Sequence, residues 1–472
     1  MTAPLPEPTS LTALRARELR APRYTSYPTA LQLKDSFSPA LFERELAASN
    51  DDLVPSALAL YVHLPYCAAA CFYCGCHRVI SRKANTHNAY LEHLLKEIAQ
   101  TVDRIDTDRL VQQIHMGGGT PNLLRPVQLE RLLEGLTSNF ALQAGCEVAM
   151  EVDPRQARPG DAHAWASLGF NRLSLGVQDI DPDVQKAINR VQPASDVARL
   201  VKEIRRAGIQ GLNMDLVLGL PRQTRRTVAQ SLDWVIEQQP SRIALYQYAH
   251  MPLRFPAQRA INDAELPSLE QRFAFQDLAR DRLQIAGYVD IGLDHYARPD
   301  DELAQAFHDG RLRRNFQGYT VLADSELFGF GVSAISCVGR CIVQNHKDTP
   351  VYAERVEAGR SPLQRGMLRS REDLRRARLI ERLMCRLEVD THAFGADEGL
   401  NFDEHFAVAI DRLNRLDPEQ EFLDRRQPLW KVTASGRQFL RLLASCFDEY
   451  QQQTHNAGGA KVASPMRPDT PV

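Results

Sequence analysis

Short apolar, β-branched runs recur through the middle of the chain: "LALYVHLP" (58–65), "QIHMGGG" (113–119), "EVAMEVDP" (147–154), "RLSLGVQ" (172–178), "LNMDLVLGLP" (212–221) and "RIALYQYAH" (242–250). Between them lie longer stretches with apolar residues at helical spacing: "THNAYLEHLLKEIAQTVDRI" (86–105), "PVQLERLLEGLTSNF" (126–140), "ASDVARLVKEIRRAG" (194–208) and "TRRTVAQSLDWVIEQ" (224–238). The first of these predicts a helix capped by Thr86. Strands alternating with helices of this length predict βαβ units and a parallel sheet. Six units are too few for a closed eight-fold barrel. The expected fold class is therefore α/β, a partial (β/α)6 TIM-like barrel.

The strand ends carry the chemistry. Cysteines follow the first strand, "GGGTP" follows the second, Glu151 lies in the third, Gln178 ends the fourth and Asp215 lies in the fifth. In parallel α/β architectures ligands bind at the carboxyl ends of strands. One polar residue there reads as a satisfied buried group. The same end of five strands does not reduce to packing.

Past residue 360 the pattern turns helical in "SREDLRRARLIERLMCRLEV" and "NFDEHFAVAIDRLNRL". "PLWKVTASGRQFLRLLASCFDEY" then reads as a strand, a Ser/Gly break and a helix, a winged-helix-like layout without the basic excess of a DNA-binding one. The expected organisation is an N-terminal arm and first helix (1–56), the barrel (57–360), a mostly helical domain (361–452) and a disordered tail (453–472).

Composition adds exclusions. A formal net charge of −2 gives no global electrostatic case for nucleic acid or an anionic membrane. The N-terminus lacks the apolar stretch of a secretory signal, and no run approaches the ~20 apolar residues of a membrane span. A cytoplasmic monomer is expected.

Four of the nine cysteines fall within "YCAAACFYCGC": Cys67, Cys71, Cys74 and Cys76. Lone cysteines such as Cys385 and Cys446 read as small buried hydrophobes. Cys337 and Cys341 have no neighbouring His or Cys to complete a site. Thiolates at the density of the 67–76 loop hold zinc or an iron–sulfur cluster, and zinc sites usually pair two separated knuckles. Three thiolates spaced CxxxCxxC after a strand fit a cubane cluster, with one iron left open to an exogenous chelate.

"CAAACFYC" resembles the signature of the radical S-adenosylmethionine enzymes. A collinear series narrows this: "PRYTSYPTA" (22–30), "GGGTP" (117–121), "MEVDPR" (150–155), "LGVQD" (175–179), "MDLVLGLPRQT" (214–224), "YAHMP" (248–252), "DHYARPDDELA" (294–304), "NFQGY" (315–319) and "GFGVSAIS" (329–336). Together they resemble the oxygen-independent coproporphyrinogen III oxidases, over about residues 20 to 450. The resemblance implies oxidative decarboxylation of two propionates of coproporphyrinogen III to vinyl groups, with a [4Fe-4S] cluster, S-adenosyl-L-methionine and an unidentified low-potential electron donor. It implies Cys67, Cys71 and Cys74 as cluster ligands.

Chemistry and resemblance together mark further residues. Gly118 and Gly119 permit close backbone approach, and Thr120 offers a hydroxyl to the cofactor's amino acid end. Glu151 reads as an acceptor for ammonium or ribose hydroxyls, or as one half of a buried ion pair. Arg190 reads as a carboxylate clamp or as an exposed helix residue. Tyr61, Tyr73, Gln178, Asp215, Ala249 and Ile335 match cofactor-lining positions of the family, a set large enough for two cofactor molecules. Cys76 and His63 stand as catalytic candidates. The arm "PRYTSYPTA" is expected to close over substrate, with Arg23 near a propionate. The match departs at Leu218, where an aromatic is expected, and over 342–365. A haem-binding chaperone of the same superfamily typically lacks the fourth cysteine and "YTSYPTA", both present here. An iron–sulfur regulatory module is the remaining alternative.

Overall fold

The protein was analysed as a computed structural model, which describes residues 10–322 and 325–451. The tail expected to be disordered lies outside them.

The six expected strands form side by side and parallel: β1 (Leu58–Leu64), β2 (Val111–Gly118), β3 (Leu142–Val152), β4 (Arg172–Gln178), β5 (Gly211–Leu218) and β6 (Arg242–Gln247). Both faces of β1 are covered, since Leu58, Ala59, Leu60 and Val62 are all buried. That explains its unbroken apolar run. Each large side chain so buried contributes roughly 1.5–3 kcal/mol.

Helices α1 (Ala84–Val102), α2 (Pro126–Thr137), α3 (Asp161–Ser167), α4 (Ala194–Arg206) and α5 (Arg225–Glu237) connect the strands. In α4 the buried residues are Val197, Leu200, Val201 and Ile204, a single stripe at helical period. The start of α1 corrects the sequence expectation. The cap is Lys83, and Thr86 lies inside the first turn. Ser81 takes the Lys83 N–H at 3.2 Å, so the chain turns before Thr86 is reached.

Among the described residues the sheet has twelve strands, six more than the alternation shows. On the β6 side it adds β7 (Val289–Gly292) and β8 (His295–Ala297), with β8 antiparallel to β6. On the β1 side it adds β9 (Glu326–Phe330), parallel to β1, then β10 (Ile335–Val338), β11 (Cys341–Asn345) and β12 (Leu363–Leu368), all antiparallel. The poorly matching segment 342–365 is thus β11, a helix (Thr349–Glu357) and the start of β12. Cys337 and Cys341 sit on the β10–β11 hairpin, paired with Ile342 and Val338. Leu218 is simply a core residue at the end of β5.

A second apolar cluster joins the C-terminal helices to the arm. Leu14, Tyr24 and Tyr27 pack with Leu383, Phe406, Trp430 and Phe447. Arg441 pairs with buried Glu18 at 2.8 Å, and Tyr24 donates to Asp448 at 2.9 Å. The C-terminal segment has the expected strand (Leu429–Val432), break and helix (Leu440–Ser445). No helix of the described residues is long and apolar enough to cross a membrane.

Candidate active site

The chain leaves β1 through Pro65 into a short pair, Tyr66–Cys67 against Val79–Ile80. This pair closes the base of the thiol loop. Arg78 ties its interior by donating to the carbonyls of Cys71, Cys74 and Cys76 at 3.4, 3.2 and 3.4 Å. Asn189 holds it from outside, donating to the Ala70 carbonyl at 2.8 Å. Cys67 and Cys71 are buried, and Cys74 is half-buried.

Each of these three sulfurs receives a hydrogen bond. Thr120 Oγ1 donates to Cys67 at 3.3 Å, and the Cys76 N–H donates to Cys74 at 3.4 Å. Arg155 and Arg190 both donate to Cys71, at 3.4 and 3.5 Å. Burial pushes the Cys67 thiol up to about 11, against the Thr120 bond. The Cys76 thiol bonds Cys74, which favours thiolate at Cys74 and the protonated form at Cys76. Donors aimed at sulfur reduce the cost of keeping thiolates in a low-dielectric site. This donor set fits a thiolate-held cluster. Among the described residues no three of His, Cys, Asp or Glu converge on one ion. A single zinc needs ligands at about 2.0–2.3 Å from one centre, whereas a cluster spreads them over several irons.

Arg190 is buried, which settles its two sequence readings against an exposed helix residue. It pairs with Asp153 at 3.2 Å and donates to the Gly176 carbonyl at 2.7 Å. Arg155 shares the same carboxylate at 2.7 Å. Both Asp153 and Arg155 lie in the quoted "MEVDPR", yet their role depends on Arg190, which sequence spacing does not place beside them. Gln178 ends β4 at a φ of 68°. A Cβ on Gly176 would meet its amide at 2.7 Å and Arg190 at 2.8 Å, so the two side chains meet over that glycine.

Beside the loop lies a cavity of about 490 Å³ that runs along the strands, from Arg172 and Arg242 at the starts of β4 and β6 to Gly118 at the end of β2. Tyr61, His63, Cys76, Gly118, Glu151, Asp215 and Ile335 all line it. Glu151 accepts the Gly118 N–H at 3.0 Å and faces His115 at 3.7 Å. Burial works to raise its pKa, but His115 and the Gly118 N–H outweigh that and hold it below the usual range. Burial wins at Asp215, raised to about 6 against bonds from Ser174 and Asn213. His63 is driven down to about 4 by burial and the His77 charge. Its Nε2 lies 3.1 Å from the His77 carbonyl, which only accepts, so that nitrogen carries the proton and Nδ1 accepts from Tyr61 at 3.1 Å.

Gly119 and Thr120 sit behind Gly118, against the thiol loop. A Cβ on Gly119 would meet the Pro65 backbone at 2.6 Å, so its close approach is to β1's exit. Tyr73 and Ala249 are brought together by Gln258, whose amide donates to both carbonyls at 3.0 and 3.2 Å. Sequence reasoning missed Gln258, and nothing in its local pattern marks it. Thr25 and Ala30 of the arm line the cavity. Arg23 pairs with Asp294 at 2.9 Å and lies over the ring of Tyr246, itself a cavity-lining residue.

Residues 61–235 match the family described as the Radical SAM superfamily. The chain is 40% identical over 432 residues to the oxygen-independent coproporphyrinogen III oxidase of Salmonella typhimurium, covering 92% of this chain and 93% of that protein. The Escherichia coli K12 enzyme of the same name is 39% identical over equal shares. A solved structure of the Escherichia coli coproporphyrinogen III oxidase, described as a radical SAM enzyme, superposes with a TM-score of 0.86 over 91% of this chain and 97% of that one, at 39% identity. This chain belongs to the oxygen-independent coproporphyrinogen III oxidase family. As a member of that family it is an oxidoreductase of the radical S-adenosylmethionine type, which implies a [4Fe-4S] cluster and S-adenosylmethionine. The large parallel sheet agrees with the expected fold class.

Proposed function

We propose that this protein converts two propionates of coproporphyrinogen III to vinyl groups, giving protoporphyrinogen IX. One observation carries the reading: a thiol loop with hydrogen-bonded sulfurs lies beside a cavity lined by the parallel strands, in a chain of this family. The chaperone and regulatory alternatives have no comparable support.

Cys67, Cys71 and Cys74 would hold the cluster, with Thr120, Arg155, Arg190 and the Cys76 N–H stabilising their sulfurs. When bound, the reduced cluster and S-adenosylmethionine supply a radical that removes one hydrogen atom from a propionate β-carbon. The bond between the α-carbon and the carboxylate would then break, carbon dioxide would leave, and the one remaining electron would pass to an acceptor, leaving the vinyl group. Glu151 and Asp215 offer acceptors in the cavity for ammonium or ribose hydroxyls. His63 has both ring nitrogens engaged, which supports a positioning role in place of a catalytic one. Cys76 lines the cavity beside Cys74, which supports a role next to the cluster without ligating it.

Two cofactor molecules fit the division of the marked residues into a cavity set and a set around Tyr73, Gln178, Arg190 and Ala249. The protein is read as a cytoplasmic monomer served by a low-potential donor. The deciding experiment is anaerobic incubation of the reconstituted protein with coproporphyrinogen III, S-adenosylmethionine and a reductant, followed by mass spectrometry. Loss of two carboxyl groups per tetrapyrrole is expected, and unchanged substrate with an intact cluster would refute the reading.

A further inference from the structure

In the run "DHYARPDDELA" the residues around His295 have structural duties. Asp294 pairs with Arg23 of the arm at 2.9 Å, and Asp301 accepts from Arg242 Nε at 2.9 Å. His295 itself is differently placed. It stands on β8, six places along the sheet from β1, and lines the 490 Å³ cavity together with Tyr246 and Tyr319. Both tyrosine rings stand nearly perpendicular to the imidazole, with centroids 5.9 and 5.4 Å away.

The turn from β7 into β8 fixes the proton on that ring. Leu293 and Asp294 both have positive φ, 22° and 70°, and the Leu293 carbonyl lies 2.7 Å from His295 Nδ1. A carbonyl only accepts, so Nδ1 carries the proton and Nε2 keeps its lone pair. Nε2 has no hydrogen-bond partner among the described residues, yet protein does not enclose it. Gly318 helps to keep it clear, since a Cβ there would lie 3.8 Å from it. Burial and the Arg314 charge bring the imidazole down to about 4, so the ring is neutral at neutral pH.

A neutral lone pair open to a cavity calls for an N–H or O–H donor. Arg314 and Arg23 both disfavour positive charge at the ring, with Asp294 opposing but already paired to Arg23, so a cationic donor such as the cofactor's ammonium is repelled. The cofactor's ribose hydroxyls have the carboxylates of Glu151 and Asp215 in the same cavity, which accept more strongly than an imidazole. A pyrrole N–H is neutral, donates only, and belongs to an aromatic ring that suits walls of tyrosine.

We propose that His295 Nε2 accepts a pyrrole N–H of the substrate and so selects the porphyrinogen over the oxidised porphyrin. The proposal rests on the reading of coproporphyrinogen III as substrate. In a porphyrinogen the saturated bridges let each pyrrole tilt, and its N–H can reach a partner outside the macrocycle. In the porphyrin the macrocycle is flat and its N–H groups point inward. The propionates are the same in both, so a carboxylate contact does not tell them apart, whereas an N–H contact does.

The test uses the reconstituted holoenzyme with His295→Asn and His295→Gln. The Asn amide can still donate to the Leu293 carbonyl but does not reach the place of Nε2, whereas the Gln amide oxygen does. KM for coproporphyrinogen III is measured anaerobically. Coproporphyrin III affinity by fluorescence titration, S-adenosylmethionine affinity and iron content are measured beside it. His295→Asn should raise KM about tenfold, the factor expected for one lost hydrogen bond in a desolvated site, and leave the other three at wild-type values. His295→Gln should recover most of the loss. Unchanged KM in His295→Asn overturns the contact while leaving the functional reading in place. Equal impairment of both variants, an equal loss of coproporphyrin III affinity, or a loss confined to S-adenosylmethionine each overturns it as well. A wild-type protein that does not convert coproporphyrinogen III brings down the functional reading, and the contact with it.

Discussion

Glu97 is the titratable group whose replacement has the most calculable consequence. It lies in α1, 4% exposed, where its carboxyl group meets three donors: Tyr352 OH at 2.6 Å, Gly331 N–H at 2.7 Å and the Asn345 amide at 2.6 Å. Burial outweighs those bonds and raises its pKa from the ordinary 4.5 to about 7. A carboxyl group raised in the folded state binds its proton more tightly there than in the unfolded chain. Its contribution is therefore complete below 4.5, declines through the window up to 7, and is gone above it. Between about pH 5.5 and about pH 8 the folded protein should lose about 2 kcal/mol from this group.

Glu97→Gln removes the titration while keeping the shape. The amide alters what Asn345 and Tyr352 meet, but that cost does not vary with pH and cancels in the comparison. His63 and His295, both lowered to about 4, slope the other way and are common to both proteins. Urea unfolding read by far-ultraviolet circular dichroism at the two pH values, for both proteins, isolates the difference. The variant should gain about 2 kcal/mol on the wild type on going from the lower pH to the higher. An equal pH dependence in the two proteins would show that Glu97 is ionised throughout and that burial does not govern it.

Four further outcomes follow from the site. Cys67→Ala, Cys71→Ala and Cys74→Ala should each lose iron and visible absorption after anaerobic reconstitution, and a normal four-iron cluster in any one of them contradicts the ligand set. Cys76→Ser should keep the cluster but lose most decarboxylation; iron loss would make Cys76 a ligand, and full activity would make it packing. Thr25→Trp, which fills the arm's side of the cavity, should lower porphyrinogen turnover with iron content unchanged, and full turnover would separate the arm from the substrate. Gly119→Ala should reduce iron content because its Cβ would press on the Pro65 backbone below the thiol loop, whereas Gly135→Ala meets only the flexible tip of Leu95 and serves as the control.

The arm shows where sequence reasoning falls short. "PRYTSYPTA" reads as a lid because its composition forbids a helix, and a truncation to residue 30 looks like a clean test. In the fold, Tyr24 and Tyr27 are buried in the second apolar cluster, and Glu18 pairs with Arg441 across the full length of the chain. Truncation would open that cluster, so a point substitution at Thr25 is the sharper probe. The six parallel strands were legible because each is a buried apolar run bounded by turns. Strand β9 was not, because "ELFGF" is short, contains Gly329 and reaches β1 only through a long connection. Periodicity reports local burial and says nothing about which distant strand will pair.

The candidate site divides along the same line. The cysteines, Glu151 and Asp215 were visible because each is a chemically costly residue just after, near the end of, or within an apolar strand. Their partners were not, because partnership here is decided by strand order. Cys71 draws its two donors from beyond β3 and β4, Cys67 draws Thr120 from beyond β2, and Cys74 draws on its own loop. Adjacent parallel strands bring those loops together although they lie far apart in sequence. The "GGG" run makes the same point. Read alone, it offers close approach to a ligand. In the fold, a Cβ on Gly117 would strike Glu151, one on Gly118 would strike His63, and one on Gly119 would strike Pro65. The glycines therefore let β1, β2 and β3 crowd together at their carboxyl ends, and that crowding brings Glu151, His63 and the thiol loop to one place.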